Sequence, residues 1–144
     1  MDTKPTATNY CNLLGLLLRA KHGLMRITES HGLTVMQAHV LALVEPGRPV
    51  AMSKLSTALA CDASNITGIV DRLTSQRLLT RTEDAKDRRV KMIALTDEGA
   101  AKRQVLVDEL SQAMGRGVET ALSPAEQETL YQLLLKIQQA NPTA

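Results

Sequence analysis

Apolar positions along this chain recur mostly at intervals of three and four, the spacing of one helical face. From about Asn9 to Ser30, the residues Leu13, Leu16, Leu17, Ala20, Leu24 and Ile27 fall on one face, and Leu14, Leu18 and Met25 widen it to a second. A helix that is apolar on two sides needs cover from two directions, more than one small chain readily supplies. Gly32 ends this helix, and Thr34 with Gln37 has the T-x-x-Q spacing of a capping box. The second helix is marked by Val40, Leu41, Leu43 and Val44 and is predicted to reach about Glu45. Pro46-Gly47-Arg48-Pro49 reads as a rigid turn, and Ser53 to Ala60 as a short helix with Leu55 and Leu59 inward. After the turn Ala60-Cys61-Asp62, Asp62 suits the N-cap of another helix. There Ile66, Ile69, Val70 and Leu73 take the i, i+3, i+4, i+7 positions, with Asn65, Gly68, Asp71 and Arg72 on the opposite face.

The pattern then changes. Leu78 to Thr82 and Val90 to Leu95 are extended in character, with Glu83 to Arg89 as a hairpin tip between them. Thr96, Asp97 and Glu98 open a helix predicted to run to about Val118, with Val105, Leu106, Leu110, Ala113 and Met114 apolar. Ser123-Pro124-Ala125-Glu126 reads as a second capping box with proline at the first helical position. The last helix carries Leu130, Leu133, Leu134 and Ile137. The expected fold is mainly α with a small β-hairpin wing. It is a winged helix-turn-helix in the middle of the chain, flanked by N- and C-terminal dimerisation helices. The polar first eight residues are expected to be loose.

Composition narrows this further. At 144 residues the chain is expected to be one domain able to bury a core without staples. With no Trp and no Phe, that core must be aliphatic. Two cysteines make no disulfide framework and fit a reducing compartment. The apolar run Leu13 to Leu18 is too short to span a bilayer, and no cleavage signal follows it. A soluble, cytoplasmic, unprocessed protein with no membrane partner is therefore expected. The chain contains no Gly-rich phosphate loop, nucleophile elbow or H-E-x-x-H. His22, His31 and His39 form no H-x-x-x-H pair. No enzyme activity, metal or cofactor is expected. Two tyrosines offer no stacking platform for single-stranded nucleic acid.

Charge points elsewhere. Between Arg48 and Lys91 lie nine Lys or Arg against five acids, a surplus of four in a chain whose net charge is +2. Small polar side chains at the start of a helix, followed by a basic hairpin, suit double-stranded DNA. Ser64, Asn65 and Thr67 are the candidate base-edge readers, the other reading being ordinary capping and helix surface. Arg72 is a candidate phosphate contact. Lys86, Arg88 and Arg89 are candidates at the wing, for minor groove or phosphate. Lys54, Arg48 and Lys91 are generic phosphate candidates, each as well explained as a solvated charge.

At this level of detail the chain resembles the MarR family of winged helix-turn-helix regulators over essentially its whole length. The resemblance rests on Gly32-Leu33-Thr34 with Gln37, on Asp62-x-Ser64-x-x-Thr67 followed by Val70-Asp71-Arg72-Leu73, and on Asp87-Arg88-Arg89 leading into Leu95-Thr96-x-x-Gly99. It implies a homodimer with interleaved terminal helices and two lobes reading a pseudo-palindromic operator. Such a protein is usually a repressor released by a small lipophilic or phenolic effector. On this pattern 1–144 is a single domain, with 33–99 as the DNA-binding lobe and 9–31 and 100–140 as dimerisation helices. The family places ligands between dimer helices and lobe, which makes His22, Arg26, His31 and His39 candidate pocket residues. It also implies, as an alternative role for Asp71, a pair with a wing arginine. Of Arg88 and Arg89, one is expected to enter the minor groove or meet phosphate and the other to hold the wing through an acid. Arg77 departs from the pattern, because the family usually has Gly there to end the helix in a left-handed conformation. The helix then ends differently, the wing is re-aimed, or Arg77 adds a phosphate contact.

Two other readings remain open. Some relatives sense peroxides through a cysteine near the start of the first helix, and Cys11 beside Tyr10 sits close to that place. A cysteine-based oxidant-sensing regulator of the same fold is one alternative, although no feature marks a lowered thiol pKa and a packed or idle Cys11 also fits. Cys61 reads as a small packing residue. The second alternative is a helical interaction module that keeps the fold without reading DNA, against which the wing charges argue.

Overall fold

In the computed structural model, which describes residues 7–140, the chain runs α1 (Ala7–Ser30), α2 (Val35–Leu43), β1 (Val50–Ala51), α3 (Met52–Ala58), α4 (Ala63–Ser75), β2 (Leu79–Glu83), β3 (Lys91–Leu95), α5 (Asp97–Ala121) and α6 (Pro124–Ala140). The expectation of a loose N-terminal segment falls mainly on residues 1–6, outside the described residues, as do the side chains of Tyr10 and Met114. Helix order and type follow the sequence pattern. The sheet is larger than the predicted hairpin: β1 pairs antiparallel with β3 through Val50 opposite Ile93 and Ala51 opposite Met92, giving the order β1-β3-β2. A two-residue strand is too short to show alternation, so the sequence carried no sign of it.

The core lies where α2, α3, α4, the sheet and the start of α5 meet. It is aliphatic throughout, with Val40, Leu41, Val44, Leu55, Ile66, Val70, Leu73, Ile93 and Leu106 fully buried. The chain has no Phe or Trp to fill this space, and branched aliphatic side chains of ordinary size close it instead. Arg103 of α5 donates through Nε to the Ala42 carbonyl at 3.1 Å, satisfying an end carbonyl of α2.

Three helices stop by the same device. At the ends of α1, α3 and α4 the residues Gly32, Ala60 and Arg77 take positive φ of 69°, 48° and 60°. In each case the next residue's N–H reaches back five positions: Leu33 to the Thr28 carbonyl, Cys61 to Ser56, and Leu78 to Leu73, all at 3.0 Å. This is the hydrogen-bond pattern of a Schellman motif, which prefers glycine at the left-handed position. Of the outcomes open for Arg77, the helix ends just as a glycine would end it, with Arg bearing the strain. Left-handed geometry costs a non-glycine residue about 1–2 kcal/mol, and glycine's greater unfolded-state entropy returns about 0.5–1 kcal/mol of that. Arg77→Gly is therefore expected to stabilise the fold by about 0.5–1 kcal/mol and to raise Tm by about 1–4 °C at fixed protein concentration. An unchanged or lower Tm would mean that the Arg77 side chain contributes more than the strain removes.

The turn after α4 is clasped by the start of α5. Thr96 caps α5 by accepting the Gly99 N–H at 2.9 Å, while its hydroxyl donates to the Arg77 carbonyl at 2.6 Å. The Thr96 N–H donates to the Leu78 carbonyl at 3.2 Å. Gly99 sits so close to this turn that an added Cβ would lie 1.9 Å from the Leu78 carbonyl oxygen. The Leu95-Thr96-x-x-Gly99 sequence thus has a physical meaning: threonine ties two helices together and glycine lets them approach.

The terminal helices differ from this core. Leu13, Leu14, Leu16, Leu17 and Leu18 of α1 are 45–61% exposed, and Leu130, Leu133 and Leu134 of α6 are 45–51% exposed. Ser123 and Glu126 form one half of the box that the sequence suggests, the Ser123 N–H donating to the Glu126 carboxylate at 2.8 Å. The Ser123 hydroxyl donates there too, at 2.7 Å, and the two bonds hold the Glu126 carboxyl below its usual pKa. Among the described residues no helix is long and apolar enough to cross a membrane.

Candidate nucleic-acid interface

α4 is built as the sequence suggested, with one face buried through Ile66, Val70 and Leu73 and the other exposed. Asp62 caps it by accepting the Asn65 N–H at 2.7 Å, and it also accepts the Ser64 hydroxyl at 2.7 Å. These two bonds, the Asn65 one first, hold the Asp62 carboxyl below its usual pKa and keep it ionised as a cap. Thr67 is half-buried and its hydroxyl donates to the Ala63 carbonyl at 2.7 Å, with Met52 Sδ 3.7 Å away. Ser64 and Thr67 therefore have their protons turned inward and present only oxygen lone pairs outward. Asn65 is exposed, and among the described residues its Nδ2 has one long contact, 3.9 Å to Cys61 Sγ. A polar cleft of about 380 Å³ opens beside Asn65, bounded by Thr34 and Gln37 of the α2 start and by Gly68 and Arg72 of α4. The Thr34–Gln37 capping box is present in full, its two bonds being 2.8 and 3.2 Å.

The wing tip is folded by its acids. Asp84 Oδ1 accepts the N–H groups of Lys86 and Asp87 at 2.8 and 3.1 Å, and Asp87 Oδ1 accepts that of Arg89 at 3.0 Å. Carboxylates used this way shape a turn. Lys86, Arg88 and Arg89 are exposed, and their side chains form no ion pair among the described residues. The expectation that one of Arg88 and Arg89 holds the wing through an acid is corrected: Arg81, at the base of the wing in β2, does so. Its Nη2 meets Asp71 Oδ1 of α4 at 2.6 Å. The pair fixes the wing against α4, and only the strand register, invisible in the sequence, shows which arginine Asp71 reaches. Lys91 pairs across the hairpin with Glu83 at 2.8 Å, and Arg48 pairs with Glu45 at 3.0 Å. Lys54 and Arg72 are exposed without such partners among the described residues.

The four residues proposed for a ligand pocket lie on α1, on α2 and in the turn between them. His22 and His39 are exposed on α1 and α2. His31, 13% exposed in its side chain, is held by Glu109 of α5, Nε2 to Oε2 2.9 Å. Arg26 lines a groove between α1 and α5. Cys11 is exposed on α1, and Cys61 is half-buried, its thiol donating to the Leu59 carbonyl at 3.4 Å.

Residues 31–90, the span from the end of α1 through the wing tip, match the profile described as the MarR family. The structure superposes on CouR from Rhodococcus jostii RHA1, solved with p-coumaroyl-CoA bound, at a TM-score of 0.81 and 27% identity, covering 94% of this chain and 95% of that one. Residues 31–90 are thus similar to the MarR family, and the fold of nearly the whole chain is shared with CouR. Among curated MarR-type relatives, the transcriptional repressor MdtR of Bacillus subtilis is 32% identical over 91 residues, which is 63% of this chain. That match spans 59% of MdtR's own length, less than two thirds. The DNA complex of MepR from S. aureus shares the fold at a TM-score of 0.73 and 20% identity, over 95% of this chain and 99% of that one. The matched span contains the cap, reading helix, Asp71–Arg81 pair and wing tip described above.

Proposed function

We propose that this chain is a sequence-specific transcriptional regulator rather than an enzyme, acting in the cytoplasm on double-stranded DNA. It works as a homodimeric repressor of a pseudo-palindromic operator and is released by a small lipophilic or phenolic effector. Residues 33–99 form the DNA-binding lobe, and 9–31 with 100–140 form the dimerisation helices. The observation that carries this reading is the wing tip: its acids are consumed by backbone N–H groups while Lys86, Arg88 and Arg89 stay without ion-pair partners among the described residues, beside an uncovered α4 face. Such an arrangement leaves net positive charge facing outward where the fold presents a reading helix. The exposed leucines of α1 and α6 support the dimer. Similarity to regulators, with one relative named a repressor and another solved with an acyl-CoA ligand, supports repression and ligand response.

Each residue then has a role. Asn65 reads a base edge through its exposed amide, with the Ser64 and Thr67 oxygens as acceptors. Arg72, Lys54, Lys86, Arg88 and Arg89 meet phosphate or minor groove. The test is a binding titration of the full chain on operator and random DNA at several salt concentrations. Arg89→Ala is expected to weaken binding to both DNAs and to flatten log K against log salt by roughly one unit per lost contact per subunit. Asn65→Ala is expected to lower operator preference by about 1–3 kcal/mol per contacted base pair while sparing random DNA. Unchanged affinity and slope in a folded Arg89→Ala protein would remove Arg89 from the interface. Equal losses on both DNAs for Asn65→Ala would make Asn65 a backbone contact.

A further inference from the structure

Glycine in the interior of a helix costs stability, so a helical glycine calls for a physical reason. Three glycines lie in residues 33–99, and two have their reason inside the protein. Gly47 holds a positive φ of 71°, and Gly99 has the Leu78 carbonyl oxygen where its Cβ would be. Gly68 has neither. It stands mid-way along α4 with helical backbone, and nothing lies within 4 Å of an added Cβ. It is exposed, and with Asn65 and Arg72 it takes the i+3 place in an i, i+3, i+7 set, hence on one face of the helix. The missing side chain leaves a notch between those two residues, open to the polar cleft of about 380 Å³. Thr34 and Gln37, spent on each other as a capping box, form the far wall. Ile69, packed against the core, gives the notch an apolar side. Arg72 is the one charged residue lining the cleft among the described residues, so no acid there repels a polyanion.

The fold gains nothing from the notch and loses stability by it, so its use lies with the molecule that α4 faces. On the DNA-reading assignment of α4, on which this inference rests, that molecule is the major groove. The base edges there present hydrogen-bonding groups and one hydrocarbon group, the C5-methyl of thymine. A notch made of a backbone Cα beside an isoleucine offers that methyl apolar contact. It offers an amino or carbonyl group no side-chain partner. We propose that Gly68 is a specificity-determining residue whose missing side chain receives the C5-methyl of one thymine in each half-site. Asn65, one turn earlier, reads a neighbouring pair. A side chain at position 68 fills the notch, holds α4 off the base edges and removes the preference for thymine.

The test pairs a change in the protein with a change in the DNA. The full-length parent and Gly68→Ala are titrated with an operator obtained by in vitro selection. They are also titrated with copies in which deoxyuridine replaces thymidine at one position at a time, symmetrically in both half-sites. Uracil keeps the hydrogen-bonding groups of thymine and lacks only the methyl. At one position the parent is expected to bind the uracil copy about fourfold more weakly for each methyl removed. Gly68→Ala is expected to bind the thymine operator about fivefold or more weakly than the parent does. At that same position its preference is expected to reverse, the uracil copy binding better, because the alanine methyl occupies the place of the thymine methyl. Thermal unfolding without DNA is expected to show Tm raised by about 1–4 °C in Gly68→Ala, which separates lost affinity from lost folding. A lowered Tm would show that the glycine serves the fold and would overturn the proposal. So would a parent indifferent to uracil at every position, or a Gly68→Ala protein that keeps the parent's affinity and preference. Those results leave the parent's operator preference intact and refute the notch alone. A parent that selects no sequence refutes the regulator reading and the notch with it.

Discussion

Gly99→Ala is expected to destabilise the protein by on the order of 2–4 kcal/mol, lowering Tm by roughly 4–16 °C. The added Cβ would sit 1.9 Å from the Leu78 carbonyl oxygen, and backbone, unlike the end of a flexible side chain, cannot swing away. Relief requires α5 to shift off the turn that follows α4. That turn is where the Thr96 hydroxyl and N–H reach Arg77 and Leu78, so the same shift breaks the cap of α5 and loosens the seat of β2. The effect reaches function through position rather than contact, because the wing hangs from β2 and β3 while the reading helix ends at this turn. Thermal unfolding at fixed protein concentration measures it. A Tm within about 2 °C of the parent, below the smallest shift expected for such a loss, would show that α5 does not need this close approach.

Deleting the chain from Ser123 onward is expected to give aggregation or unfolding, with loss of operator binding, in place of a well-behaved monomer. Leu130, Leu133 and Leu134 lie on one face of α6 and are about half exposed, as are Leu13, Leu16 and Leu17 on α1. One chain offers these surfaces no adequate cover, and burying each leucine side chain contributes about 1.5–3 kcal/mol. Obligate dimers of this kind often have no stable folded monomer. Light scattering, circular dichroism and a shift assay on the truncated protein are the measurements. A folded truncated dimer with full affinity would place the interface on the other helices.

Much of the fold could be read from residue type and spacing, because its strongest signals are local. The Thr34–Gln37 box, the Asp62 cap and the i, i+3, i+4, i+7 set of α4 each act within one or two turns of chain, and all three stand in the structure. What escaped depends on distance in sequence. β1 is two residues long, and its partner Ile93 lies far along the chain. The choice of Arg81 over Arg88 and Arg89 as the partner of Asp71 is set by strand register. Arg103 on the Ala42 carbonyl and His31 on Glu109 join helices whose relative placement no spacing rule supplies.

The candidate site shows the same division. Small polar residues at the start of α4 and a basic wing were evident as residue types. Which hydroxyls turn inward was not: Ser64 answers to Asp62 and Thr67 to Ala63, while the Asn65 amide has only the long contact to Cys61 Sγ among the described residues. Likewise, residue type alone does not show that Asp84 and Asp87 accept backbone N–H groups and so fold the wing tip.

The central claim is that this chain, as a dimer, reads a two-fold symmetric DNA sequence. In vitro selection of the purified full-length protein against a random double-stranded library tests it most directly. The predicted result is an enriched inverted repeat whose half-sites are spaced by about one helical turn, roughly 10–10.5 base pairs, centre to centre, with enrichment lost for Asn65→Ala. Recovery of a pool no different from the input, at salt where the protein is folded and dimeric, would contradict the account.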